Sequence, residues 1–312
     1  MPNRPLILVS NDDGVQAQGI RELTRMMQQL GDVVVVAPDG PRSAASCSIS
    51  PITNITVKLL HEEEGLHIYQ CSGTPTDCVK LAMDGLLGRM PDLMVSGINH
   101  GDNASVSIHY SGTVGAAREA CMKQVPAIAY SLRTKSWQCD FRPYEEAILH
   151  TARYVLENGL PPDVLLNVNF PEVSELKGLM LCRISRGRWM KEMEKVGEGT
   201  YRLTGYFQNL EPEAEDTDFW AMDHGYAAVA PVQLDMTAHG VLEKMREQGA
   251  RGKRIKSRSK EQGAWGKRIE SRSKEQGGMG QENRIKGQGA RGHGAREYKL
   301  PQQSSCPLPP AP

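Results

Sequence analysis

Two adjacent carboxylates, Asp12 and Asp13, follow the first apolar segment of this 312-residue chain. Two neighbouring anions repel each other unless a cation holds them, and hard oxygen donors of this kind suit Mg²⁺, Mn²⁺ or Ca²⁺. Taken alone, the pair is better explained as a plain turn, with Asp13 and Gly14 in the turn and Asp12 as a helix cap. Ser43 and Asn99 follow neighbouring predicted strands, and with these two further oxygen donors a metal site is favoured.

A second segment has the features of an anion site. Residues 111–113, Ser-Gly-Thr, precede a helix-like stretch, and the free backbone N–H groups at a helix start attract phosphate. The alternative is an ordinary N-cap, which any serine or threonine supplies, and for the segment alone this alternative is favoured. Next to a metal site, the same amides would donate hydrogen bonds to a phosphate group.

The pattern of apolar residues predicts the elements that position these groups. Continuous apolar runs predict buried strands, and helical spacing predicts the helices between them. The predicted strands are residues 6–9, 33–37, 92–96, 127–131 and 164–168; the predicted helices are 18–30, a helix starting near 74, 113–124 and 143–158; a long loop is predicted at 97–112. Strands joined by helices indicate an α/β fold, a Rossmann-like three-layer parallel sheet whose ligands bind at the carboxyl ends of the strands.

Several familiar enzyme signatures are missing from the chain. No GxGxxG follows the first strand, and GxxxxGK[ST] and GxSxG are absent. Dinucleotide, P-loop and serine-hydrolase chemistry therefore lack support.

The charges are divided unevenly along the chain. The 37 basic and 37 acidic residues cancel, but residues 251–300 hold 15 basic and 5 acidic groups, whereas residues 1–250 hold 22 and 32. From residue 247 a 14-residue unit repeats with 12 identical positions, and it has too few apolar residues to form a core. We interpret residues 247–312 as a disordered basic and Pro-rich tail. A tandem duplication without a selected role is favoured over a nucleic-acid tether.

The remaining chain divides into two parts by its patterns. Residues 1–177 carry the alternating strands and helices, and residues 178–246 change to hairpin-like runs, which predict a β-rich C-terminal extension.

No apolar run reaches the roughly 18 residues that a membrane-spanning helix needs. The N-terminus lacks the pattern of a signal peptide, and the seven cysteines show no metal-binding spacing. These features predict a cytoplasmic protein with no membrane partner.

Five ordered motifs resemble the SurE (stationary-phase survival protein) family. They are NDDG at 11–14, APDGPRSAAS at 37–46, GTPTDC at 73–78, VSGINHGDN at 95–103 and YSGT at 110–113. The likeness covers residues 6–240. It implies a metal-dependent phosphatase that hydrolyses nucleoside 5′-monophosphates, and 3′-monophosphates as well. It also implies one Mg²⁺ or Mn²⁺ per subunit, and a homodimer or homotetramer whose C-terminal extensions are exchanged.

The resemblance assigns roles to individual residues. The implied metal ligands are Asp12, Asp13, Ser43 and Asn99. The implied phosphate-pocket residues are Asn11, Ser111, Gly112 and Thr113. Asp12 and Asp13 are also the candidate catalytic carboxylates.

Three residues depart from the family pattern. Ala44, Ser105 and Ala120 stand at positions where glycine is usual. If Ala44 must adopt a positive φ, strain of about 1 kcal/mol follows. Two alternatives stay open. The pocket residues do not separate nucleotides from polyphosphate or other phosphomonoesters as substrates, and the departures leave open a weakened module that binds nucleotides or nucleic acid without catalysis.

Overall fold

A computed structural model describes residues 4–136 and 138–251 of the protein. By its internal contacts the chain divides after Thr237. The first unit contains the strands and five of the described helices, and the described part of the second unit contains one further helix. No described helix is both long and apolar enough to cross a membrane.

Thirteen strands and six α-helices make up the described chain. The strands are β1 (Leu6–Ser10), β2 (Asp32–Pro38), β3 (Val57–Glu63), β4 (Leu66–Cys71), β5 (Leu93–His100), β6 (Ala127–Arg133), β7 (Val164–Pro171), β8 (Leu179–Leu181), β9 (Gly187–Met190), β10 (Met193–Gly197), β11 (Thr200–Leu203), β12 (Tyr206–Asn209) and β13 (Ala227–Gln233). The helices are α1 (Gln18–Met27), α2 (Pro75–Leu81), α3 (Gly112–Met122), α4 (Glu145–Asn158), α5 (Asp218–Asp223) and α6 (His239–Arg251).

Nine strands form one central sheet in the order β3-β4-β2-β1-β5-β6-β7-β13-β8. The strands from β4 to β7 are parallel to their neighbours. The two exceptions are β3, antiparallel to β4, and β13, antiparallel to β7. The predicted α/β class is therefore confirmed, with the sheet mixed at its margins.

Both faces of the sheet are buried, which explains why its strands are continuously apolar. In β1, Ile7 and Val9 point into the core shared with α1 and α4, whereas Leu8 points into the core shared with α2 and α3. Successive side chains of a strand alternate between faces, so a strand covered on both sides needs an apolar residue at every position. The sheet, with α1 and α4 on one face and α2 and α3 on the other, forms the three predicted layers.

Part of the predicted extension at 178–246, residues 187–209, is a long antiparallel hairpin, whereas β8 and β13 of the same range join the central sheet. The base of residues 187–209 pairs β9 with β12, and the tip pairs β10 with β11. We call residues 187–209 the hairpin. The C-terminal helix α6 continues across residue 246, so the first five residues of the predicted tail are helical. The rest of that tail, from residue 252, lies outside the described residues.

The prediction of a loop over residues 97–112 was wrong in two places. Strand β5 continues to His100 after a shift in register between Ser96 and Asn99, and Asn99 pairs with Ser131 of β6. A short 3-10 helix then follows at Ser105–His109. The glycine-rich sequence concealed the strand, because a glycine within a strand often marks such an irregularity.

Two of the three departures from the family pattern have a left-handed backbone. Ala44 has φ 59° and Ser105 has φ 49°, a region in which a Cβ costs about 1–2 kcal/mol. Ser105 has compensating contacts: its N–H donates to Asp218 Oδ2 at 2.9 Å, and its hydroxyl donates to the Ser185 carbonyl at 2.8 Å. Ala44 has a methyl group at an exposed turn and no polar side chain to offset the strain.

We expect Ala44→Gly to raise the free energy of unfolding by up to about 1 kcal/mol, because glycine adopts a positive φ without this steric cost. Urea unfolding measures the change. Ala120→Gly is the matched control, since Ala120 is buried within α3 and glycine there costs about 1 kcal/mol. A loss of stability in Ala44→Gly would contradict the strain assigned to this turn.

Candidate functional site

A cavity of about 590 Å³ opens at the carboxyl edge of the sheet. The four predicted metal ligands, Asp12, Asp13, Ser43 and Asn99, all line it. They come from three separate segments that follow β1, follow β2 and end β5. The structure therefore brings to one cavity oxygen donors that lie up to 87 positions apart in the sequence.

Asp12 lies at the centre of this arrangement and is only 5% exposed. The Thr113 hydroxyl donates a hydrogen bond to its Oδ1, and the backbone N–H of Gly112 donates to the same carboxylate. Both donors belong to the first turn of α3, where the helix dipole favours an anion. Burial nevertheless raises the pKa of Asp12 to about 6, with the Thr113 hydrogen bond lowering it and the charge of Asp13 raising it.

The close approach of α3 to Asp12 requires glycine at position 112. A Cβ on Gly112 would lie 2.8 Å from the Cβ of Asp12 and 2.9 Å from its Oδ2. Any side chain at this position would therefore displace the carboxylate or the helix.

Asp13 is held by a different element, the end of β5. Its Oδ2 accepts a hydrogen bond from the backbone N–H of His100 at 3.2 Å and lies 3.4 Å from the ring Nδ1. Both side chains are only 6% exposed, and the His100 ring packs edge-on against Phe141. The two adjacent carboxylates are therefore fixed independently, one by a helix and the other by a strand.

Residues 39–46, the loop after β2, carry Ser43, and we call them the Ser43 segment. Hydrogen bonds join this segment to Asp12 and to the loop before α3. The N–H of Arg42 donates to the carbonyl of Asp12 at 2.7 Å. On the other side, the N–H of Ser46 donates to the Tyr110 carbonyl at 3.1 Å, and its hydroxyl donates to the His109 carbonyl at 2.8 Å. These bonds hold Ser43, which is exposed to solvent, between Asp12 and the start of α3.

Asn99 donates its side-chain N–H to the Gly101 carbonyl at 2.8 Å. This bond occupies the amide nitrogen, so the amide oxygen is the atom suited to a cation. Asn103, four residues on, also lines the cavity and was missed as a site residue. It is fixed by Ser131, Asn167 and Asn169, which bond to its side-chain amide, its carbonyl and its N–H at 2.7–2.9 Å.

The predicted phosphate-pocket residues have different surroundings. Ser111 lines the cavity, and its hydroxyl caps α3 by accepting the N–H of Val114 at 3.0 Å. Gly112 and Thr113 both donate hydrogen bonds to Asp12.

Asn11 is fully buried, and its side chain closes a turn by bonding to both backbone groups of Gly14. Direct contact between Asn11 or residues 111–113 and a phosphate group stays a prediction.

The hairpin contributes a wall of the cavity that sequence reasoning missed. Trp189, Glu192, Leu203 and Thr204 line it, and we call these four residues the hairpin wall. No local motif marks them, because they reach the site only through the pairing of β9 with β12 and β10 with β11. Asp218, whose side chain is fully buried, accepts the N–H groups of Ser105 and Ser185 and so ties the base of the hairpin to the 3-10 helix at 105–109.

The donor set fits a divalent cation. Among the described residues that line the cavity, none is lysine or arginine, so neither buried carboxylate has a strongly basic side chain as its counter-charge. The described residues form no cluster of three histidine, cysteine or carboxylate side chains. The four candidate donors are two carboxylates, the Ser43 hydroxyl and the Asn99 amide oxygen. All four are hard oxygen ligands, which suit an ion such as Mg²⁺ or Mn²⁺.

Comparison with known proteins supports the family resemblance. The family model described as "Survival protein SurE" matches residues 7–191. The protein named 5′-nucleotidase SurE from Phocaeicola vulgatus is 47% identical over 247 residues, covering 78% of this chain and 96% of that protein. The protein of the same name from Bacteroides thetaiotaomicron is 45% identical over 246 residues, covering 78% of this chain and 95% of that protein.

A solved structure shares the fold. The crystal structure of the SurE protein from Aquifex aeolicus superposes with a TM-score of 0.67 at 32% sequence identity, covering 78% of this chain and 99% of that chain. The identity over nearly the whole length of these relatives, together with the family match over more than half of the chain, shows that this protein belongs to the SurE family.

Proposed function

We propose that this protein is a phosphoric monoester hydrolase of the 5′-nucleotidase type, which cleaves nucleoside 5′-monophosphates into nucleoside and phosphate. The observation that carries the proposal is the convergence of two carboxylates, a hydroxyl and an amide on one cavity. Relatives that are 45–47% identical over almost their full length bear the name of this activity. Hydrolysis of 3′-monophosphates is part of the same proposal.

In this proposal Asp12, Asp13, Ser43 and Asn99 hold one divalent cation per subunit. When bound, such an ion neutralises phosphate charge and lowers the pKa of bound water by several units. The residues of the chain fix the geometry in advance. Because Asp12 and Asp13 are held by α3 and β5 respectively, little reorganisation of the protein is needed when a phosphate group binds.

The two carboxylates are also the proposed catalytic residues. A carboxylate that ligates a cation is a weak base, so their main contribution is to hold the cation, with proton transfer from water as a secondary role. The backbone of residues 111–113 adds a helix start beside the cavity, whose dipole stabilises negative charge in its surroundings.

We propose further that the protein forms a homodimer or homotetramer through the hairpin. Apolar side chains on its tip are unusually exposed: Met193 is 65% exposed, Val196 51% and Tyr201 60%. A group of large exposed apolar residues on one short segment is typical of surfaces that associate.

We expect Asp12→Asn to lower the hydrolysis of nucleoside 5′-monophosphates by at least about 100-fold, because electrostatic stabilisation by a metal is worth several kcal/mol and each 1.4 kcal/mol is tenfold in rate. Phosphate release measures the rate, and circular dichroism checks the fold. The fold should persist, because asparagine has nearly the same shape as aspartate and its neutral amide avoids the cost of a buried charge. The matched control is Asp84→Asn, at a carboxylate that is 60% exposed and paired with Lys123. Full activity in Asp12→Asn would mean that the site lies elsewhere.

Removal of the metal gives a second prediction. Dialysis against EDTA should abolish hydrolysis in the wild-type protein, and excess Mg²⁺ or Mn²⁺ should restore it, because the carboxylates alone repel a phosphate dianion. In Asp12→Asn the added metal should restore little of the wild-type rate. Unchanged turnover after exhaustive chelation would contradict a metal-dependent mechanism.

We expect Gly112→Ala to lower kcat by about tenfold or more, because the added Cβ displaces Asp12, and small misplacements of catalytic groups cost up to about 100-fold in rate. Gly40→Ala is the matched control: it lies in the loop after β2, and its Cβ would meet no atom within 4 Å. Initial rates for both variants at saturating nucleotide make the comparison. Equal activity in the two variants would show that Asp12 tolerates displacement.

A further inference from the structure

The cavity combines two kinds of surface. The sheet side presents the oxygen donors, whereas two aromatic side chains, Trp189 of the hairpin wall and Tyr110 in the loop before α3, line the same space. Tyr110 is 58% exposed and Trp189 is 38% exposed, so both rings are accessible to a ligand. The volume of about 590 Å³ lies within the range of small-ligand sites, roughly 300–1,000 Å³.

The indole of Trp189 is held in place by other aromatic rings. It packs edge-on against Phe207, directly opposite on β12, with ring centroids 5.9 Å apart. Phe207 in turn stacks on Phe219 at 4.6 Å, and it occupies the space where Gly187 lacks a Cβ, 2.2 Å from the position such an atom would take. An indole fixed in this way loses little conformational entropy when a second flat ring binds to it.

Tyr110 is anchored through its backbone. Its carbonyl accepts the N–H of Ser46, and its own N–H donates to the Ser107 carbonyl at 3.0 Å. The ring itself remains exposed while its backbone is tied to the Ser43 segment. Tyr110 is therefore joined through its backbone to the segment that carries Ser43, whereas Trp189 is supported by the aromatic rings of Phe207 and Phe219.

The charges around the cavity favour one class of substrate over another. Of the described residues in its lining, three are carboxylates, Asp12, Asp13 and Glu192, and none is lysine or arginine. One divalent cation would offset two of these charges, which leaves Glu192 to repel further anionic groups. A substrate with a single phosphate and a neutral aromatic remainder fits this field, whereas a polyphosphate chain does not.

We propose that Trp189 and Tyr110 bind the nucleobase of the substrate by stacking, and that this contact distinguishes nucleotides from sugar phosphates and polyphosphate. The inference rests on the proposed nucleotidase function. Stacking recognises the π-face that all bases share and not their hydrogen-bonding edges. The protein therefore accepts purine and pyrimidine nucleotides alike.

The test compares kcat/KM for substrates that differ in the base, using the full chain with Mg²⁺ or Mn²⁺. The substrates are adenosine 5′-monophosphate, cytidine 5′-monophosphate, ribose 5-phosphate and inorganic tripolyphosphate. For Trp189→Ala we expect kcat/KM to fall about 5- to 150-fold for both nucleotides, the range that loss of base stacking produces. Ribose 5-phosphate should change by less than about twofold, because it has no base to stack. Trp189→Phe should retain most of the nucleotide activity.

Tyr110→Ala should show the same selective loss. Two matched controls separate base binding from damage to the fold. Tyr206→Ala alters the same hairpin on its opposite face, because side chains alternate along β12, and Tyr154→Ala removes a tyrosine of α4 that is 54% exposed, close to the exposure of Tyr110. Both controls should leave the ratio of nucleotide to ribose 5-phosphate hydrolysis unchanged.

Three results would overturn the inference while leaving the phosphatase intact. The first is an equal loss for nucleotides and ribose 5-phosphate in Trp189→Ala, which would indicate a structural role. The second is wild-type turnover of ribose 5-phosphate as efficient as that of the nucleotides. The third is a wild-type preference for tripolyphosphate. Hydrolysis of none of the four substrates would instead refute the proposed function and the inference with it.

Discussion

The contact between Asp12 and the first turn of α3 is the interaction on which the rest of the site depends. The Thr113 hydroxyl and the Gly112 N–H hold a carboxylate that is almost fully buried. These donors stabilise the anion only in part, and its pKa stays raised to about 6. A carboxylate in this state is electrostatically unsatisfied, and a bound cation would supply the missing charge. The absence of a side chain at Gly112 allows this approach.

The loop after β2 stabilises the contact between Asp12 and α3 through its own hydrogen bonds. Backbone hydrogen bonds from Arg42 and Ser46 join the loop after β2 to Asp12 and to the start of α3. The same loop carries the left-handed Ala44, so a strained turn lies beside the proposed ligand Ser43. Strain of this kind persists where the surrounding contacts determine the backbone, and here the flanking hydrogen bonds do so.

The hairpin adds a second kind of surface to the cavity. The sheet edge, with its four oxygen donors, suits a metal and a phosphate group, and Tyr110 in the loop before α3 adds one aromatic ring beside them. The wall that includes Trp189 adds an accessible aromatic surface to the same cavity. Asp218 couples the base of the hairpin to the 3-10 helix before α3, because its buried carboxylate accepts hydrogen bonds from the N–H groups of Ser105 in that helix and of Ser185 just before β9.

The sequence alone determined the parts of this protein that depend on local patterns. Continuous apolar runs gave the central strands because both faces of the sheet are buried, and five ordered motifs indicated the family and the donor residues. The same reasoning could not place Trp189 or Asn103 in the site. Trp189 arrives through hairpin pairing, and Asn103 is held by Ser131, Asn167 and Asn169, which lie 28 to 66 positions away. Tertiary structure decided these placements, because contacts between distant segments leave no periodic pattern in the chain.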